Sequence, residues 1–83
     1  MRVRVDYGPD CHETFSTNLM EIAKVIQETA EIIADLLGCE AFITADGVRL
    51  ARLFTVRRDQ KVNVTTYTPD GSHAISGYWA PSA

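Results

Sequence analysis

The densest run of reactive side chains is Cys11-His12-Glu13. A thiol beside an imidazole can become a thiolate nucleophile. Neighbours on a loop point apart, however, and no third group is spaced to orient the imidazole, so the run reads as a solvated loop. Cys11, His12, Cys39 and His73 are of the types that ligate zinc, but they lack any C-x-x-C or H-x-x-x-H pair. Gly8, Gly38, Gly47, Gly71 and Gly77 are isolated, which leaves no glycine-rich loop to cradle a phosphate. The expectation is a protein without catalytic activity, metal or other cofactor. Its two cysteines are expected as free thiols in a reducing cytoplasm, with a Cys11–Cys39 bridge as the alternative.

Charge is divided along the chain. Residues 1–48 carry nine acids and three bases, and residues 49–83 carry five bases and two acids. The net charge of −3 therefore hides a dipole, and such a molecule can be steered toward a charged partner of either sign. The late bases Arg49, Arg52, Arg57, Arg58 and Lys61 fall on one predicted hairpin. A chain of 83 residues, 46% hydrophobic, makes one domain and is not disordered. It has no apolar run long enough to span a membrane and no apolar signal core, so a cytoplasmic location is expected.

One long helix must position everything else. Asn18 with Glu21 fits a capping box at its start, and Gly38 can take the left-handed position at its end, which predicts a helix over 18–37. Leu19, Ala23, Ile26, Ala30, Ile33, Ala34 and Leu37 form a core-facing stripe. Ile22, Thr29, Val25, Ile32 and Leu36 extend the apolar arc on one side, and the flank Val25, Ile32 and Leu36 lies beyond what one sheet face covers. Either the sheet curls or the tail folds over this flank, or the flank is an interface. Glu21, Glu28, Glu31 and Asp35 lie opposite as an acidic ridge.

The remaining segments alternate as strands. Arg2 to Tyr7 places Val3, Val5 and Tyr7 on one face. Gly8-Pro9-Asp10 breaks it, and Cys11 to Thr17 reads as a polar loop. Glu40 to Ala45 follows the helix, and Asp46-Gly47 is a type I′ hairpin signal. In Val48 to Arg57, Val48, Leu50, Phe54 and Val56 share a face that Arg52 interrupts: either the inner face reaches solvent there or a bulge re-aims it. Lys61 to Tyr67 and His73 to Trp79 complete the set, joined by turns at 58–60 and 68–72. The predicted order is β-α-β-β-β-β: an α+β fold with one long helix across one face of a mostly antiparallel sheet. The first strand is expected at an edge, either antiparallel beside the last strand or parallel beside the second.

Two surfaces remain as candidate sites. The first is the helix flank and its acidic neighbours: Val25, Ile32 and Leu36 with Glu28, Glu31 and Asp35. The second is the sheet face away from the helix, predicted to carry Arg2, Arg4, Arg49, Thr55, Arg57, Asn63, Thr65 and Tyr67. Small size, the wide apolar arc and segregated charge favour a non-enzymatic module that binds another protein, with a homodimer through the helix flank also open. By analogy of size and charge, it would be a phage- or mobile-element-encoded inhibitor seated on a host protein or nucleoprotein complex, such as an anti-CRISPR-like protein. The alternative is single-stranded nucleic-acid binding through Arg2, Arg4, Arg49, Arg57 and Tyr67. The thin aromatic content of that face and the negative net charge make nucleic acid the less expected partner.

Overall fold

The computed structural model describes residues 1–8, 11–36, 38–55, 61–68 and 74–80. Among these, six strands form one sheet: β1 (Arg2–Gly8), β2 (Cys11–Ser16), β3 (Glu40–Ala45), β4 (Val48–Thr55), β5 (Val62–Tyr67) and β6 (Ala74–Trp79). The helix α1 (Ile22–Ile33) lies between β2 and β3 in sequence. The spatial order is β2-β1-β3-β4-β5-β6, and every neighbouring pair is antiparallel. Leu37, Val56, Arg57, His73 and the turns at 58–60 and 69–72 lie outside the described residues, as do Pro9 and Asp10.

The α+β class with one helix on an antiparallel sheet is as the sequence predicts, but the strands differ in two features. Cys11–Ser16 is an edge strand rather than a loop. Its residues are exposed apart from Phe15, which pairs with Val3 and packs on the core. With one inward apolar residue, β2 has too weak an alternation to announce itself. This hairpin also reverses the chain before the helix. β1 therefore sits between β2 and β3, antiparallel to both, and neither expected edge position holds.

The second difference is a bulge. Ile43 pairs with Ala51 and Thr44 with Arg49, which leaves Leu50 as the extra residue of β4. Beyond it the strand's phase inverts. Ala51, Leu53 and Thr55 turn inward and are buried, whereas Arg52 and Phe54 turn to the opposite face. The expected inward position of Phe54 and outward position of Thr55 are thus both reversed. At the other turn the expectation holds: Asp46 and Gly47 have φ of 49° and 82°. The Asp46 carboxylate accepts the Arg2 backbone N–H at 2.9 Å, pinning this turn to β1.

The helix is shorter than its pattern. Asn18 caps as expected, its side-chain oxygen accepting the Glu21 N–H at 3.2 Å, but Leu19–Glu21 is a 3₁₀ turn. At the far end Gly38 takes φ of 74°. There β4 captures the last turn: the Thr55 hydroxyl donates to the Leu36 carbonyl and accepts the Cys39 N–H at 3.0 Å. Thr55 is buried, so Thr55→Val strands both groups. It is expected to cost about 1–3 kcal/mol in urea unfolding.

The core lies between α1 and the strands β1, β3, β4 and β5. Ile33, Ile43, Leu53, Val3, Val5 and Val62 are fully buried, each contributing about 1.5–3 kcal/mol. The helix makes its main sheet contacts with β3 and β4. It is rolled relative to the predicted stripe: Val25, Thr29, Ala30 and Ile33 are buried, while Leu19 and Ala23 are exposed. Thr29 tolerates burial because its hydroxyl donates to the Val25 carbonyl at 2.8 Å. No described helix is long and apolar enough to cross a membrane.

Candidate interaction face

Sheet register assembles the face away from the helix from residues far apart in sequence. One row reads His12, Asp6, Phe42, Arg52, Thr65 and Ser76 across all six strands. The next reads Glu40, Phe54, Asn63 and Tyr78. On the other side come Thr14, Arg4, Thr44 and Arg49. Tyr67 shares the face by its alternation with Thr65.

The arginines and aromatic rings are locked together. The Arg49 guanidinium lies 4.4 Å from the Phe42 ring centre, and that of Arg52 lies 4.7 Å from the Phe54 ring centre. Arg52 also binds Glu40, with Nε at 2.8 Å from the carboxylate. Arg4 binds Asp6 at 2.9 Å, and Arg2 donates to the Thr14 hydroxyl at 3.3 Å. Much of the positive charge is thereby balanced within the face. A groove of about 630 Å³ opens beside Phe42, lined also by Asp6, Cys39, Thr44 and Arg49. A second hollow of about 330 Å³ lies among Phe54, Asn63, Thr65, Ser76 and Tyr78.

Of the predicted arginine face, Arg2, Arg4, Arg49 and Tyr67 are on it, and Arg57 lies outside the described residues. Phe42, Phe54, Arg52 and Tyr78 join them. The signal that finds this set is Arg52 itself: moving the phase break to Leu50 turns Phe54 outward with it. The helix flank fares differently. Val25 is 8% exposed and belongs to the core, because the helix rolls onto that side. Ile32 and Leu36 remain 53% and 50% exposed, beside the exposed Glu28, Glu31 and Asp35.

The Cys11-His12-Glu13 run splits across the strand. His12 pairs with Asp6 on the open face, whereas alternation turns Cys11 and Glu13 to the helix side. Thiol and imidazole are therefore not a dyad. Both cysteines are free. Cys11 opens β2 and Cys39 lies just before β3, with β1 standing between those two strands. Among the described residues no group of three or more His, Cys, Asp or Glu is placed to hold a metal. No family model, characterised protein or solved structure matches the chain.

Tyr7 gives the helix side a titration signature. Its hydroxyl donates to Glu13 Oε1 at 3.0 Å. Burial first, then the hydrogen bond and charge of Glu13, push its pKa up to about 12. The folded state thus holds this proton more tightly than the unfolded chain. The associated stability is fully present below about pH 10 and is lost as pH rises toward 12. Absorbance at 295 nm is expected to show one late-ionising tyrosine, absent in Tyr7→Phe, whose alkaline stability loss is shallower.

Proposed function

We propose that the protein is a non-enzymatic binding module that docks on another protein through its open sheet face. The observation that carries this reading is the cluster of half-buried Phe42, Phe54 and Arg52 with exposed Arg49, continued by Tyr67 and Tyr78. Aromatic residues and arginine are enriched at the energetic centres of protein interfaces. The two hollows offer places for a partner's side chains. The Arg4–Asp6 and Arg52–Glu40 pairs supply matched polar groups without a large net charge. The acidic ridge Glu28, Glu31 and Asp35, with Ile32 and Leu36, supplies a second surface that fits a basic partner. A mobile-element-encoded inhibitor seated on a host nucleoprotein complex, including one of the anti-CRISPR kind, is the finer form of this reading. It rests on small size and segregated charge, and it places the protein in the cytoplasm.

A second reading uses the same face. Four aromatic residues on an open sheet with arginines among them also suit stacking of single-stranded bases. Phosphate recognition needs uncommitted cations, and two of these arginines already hold carboxylates, which favours the protein partner. The test is affinity capture from host lysate, with and without nuclease, using the natural chain and a Phe42→Ser/Phe54→Ser variant. Supporting the reading is a protein retained after nuclease and lost with the variant. Salt-dependent binding of a single-stranded oligonucleotide, abolished by the same variant, would replace it with the second.

A further inference from the structure

The two edges of the sheet are unlike. β2 carries His12 and Glu13, and its pairing with β1 is irregular between Asp6 and Gly8. Charges and bulges of this kind keep an edge from pairing with other strands. β6 has neither device. Its sequence Ala-Ile-Ser-Gly-Tyr-Trp holds no charge and no proline, and it pairs with β5 in unbroken register. Among the described residues, one side of its backbone has no neighbouring strand. Ile75 and Tyr78 are 72% and 76% exposed, on opposite faces. The helix makes its main sheet contacts with β3 and β4, and on the same face of β6 Trp79 is half-buried while Ile75 is exposed.

We propose that β6 pairs with β6 of a second copy, antiparallel, to make one continuous sheet across a homodimer. This inference does not depend on the partner proposed for the open face. A two-fold axis normal to the sheet keeps both helices on one side, so only residues of the same face meet. With Gly77 on the axis, Ile75 lies opposite Trp79 of the second copy, twice over. Ser76 lies opposite Tyr78 in the same way. Gly77 leaves open space between these pairs, with no atom within 4 Å of where a Cβ would stand. Nothing at the centre of the seam therefore obstructs the pairing, and no charge of β6 meets a like charge there.

Net charge does not oppose the pairing. The acidic ridges ride on helices over β3 and β4. From β4 of one copy to β4 of the other is five strand spacings, roughly 24 Å. That exceeds the Debye length of about 8–10 Å at ordinary ionic strength. A second copy therefore meets the uncharged edge with its own uncharged edge and keeps the like-charged surfaces apart.

Sedimentation and light scattering across a wide concentration range test this, with Trp79, the chain's single tryptophan, as a local probe. The natural chain is expected to reach twice the chain mass as Trp79 emission shifts to the blue. Ile75→Lys sets a charge against Trp79 of the second copy at both ends of the seam. It is expected to weaken self-association by at least about thirtyfold. Ile75 is exposed, so circular dichroism should stay unchanged. Ile32→Glu, on the helix, should leave the dimer intact. A natural chain that stays monomeric throughout overturns the proposal. So does a dimer that survives Ile75→Lys, one that Ile32→Glu dissociates, or a β6 edge that pairs only with a foreign peptide.

Discussion

Val25→Glu is expected to leave the chain unfolded, and Ile32→Glu is expected to leave it folded. The two positions are seven residues apart and share one flank of the helix by periodicity. The roll of the helix separates them. Val25 is 8% exposed and packs with Ala30, Ile33 and the inner residues of the sheet. A carboxylate there has no partner and costs several kcal/mol. A domain of 83 residues has roughly 4–12 kcal/mol in total. Ile32 is 53% exposed, so its replacement by Glu loses little packing and extends an acidic ridge already solvated. Far-ultraviolet circular dichroism with urea titration of both variants decides the matter. Two folded variants, or two unfolded ones, would mean that the helix is not seated as described.

The second large effect concerns the open face. Phe42→Ser and Phe54→Ser each remove a ring over which an arginine lies, at 4.4 and 4.7 Å. Both rings are on the solvent side of the sheet, so the core of Val3, Ile43, Leu53 and Val62 is untouched and the fold is expected to persist. Partner binding is expected to fall by about 2 kcal/mol or more for each, roughly thirtyfold, as at the anchors of protein interfaces. The pair should lose less than the sum, because each arginine reaches into the same cluster. Calorimetry with the captured partner measures this. Undiminished binding in the double variant would move the contact elsewhere, with Ile32 and Leu36 on the helix the next surface to probe.

These two predictions depend on different kinds of information. Strand identity, the Asn18 cap, the Gly38 stop and the Asp46-Gly47 turn are local. Each follows from side-chain period or from a backbone conformation that few residues adopt, and a short window of sequence holds the whole cause. The β2 strand escapes such a window because an edge strand with Phe15 as its one inward apolar residue carries almost no period. Its omission has a long reach: without that reversal, the direction of β1 against β3 cannot be right. The phase of β4 escapes for a related reason. A bulge at Leu50 is a property of pairing with Ile43 and Thr44, and it alone turns Phe54 outward beside Arg52. Helix roll is tertiary in the same sense. An apolar arc wider than one contact leaves several seatings open, and the choice falls to what the helix can bring closest to β3 and β4. Here that is Val25, Thr29, Ala30 and Ile33, with Thr29 admitted because its own backbone satisfies its hydroxyl. The sequence by itself thus determined which segments are strands with a buried face and the Asn18 cap and Gly38 turn that bracket the helical segment. Packing alone decided which arginines and rings meet on the open face, because register joins residues that no local pattern relates.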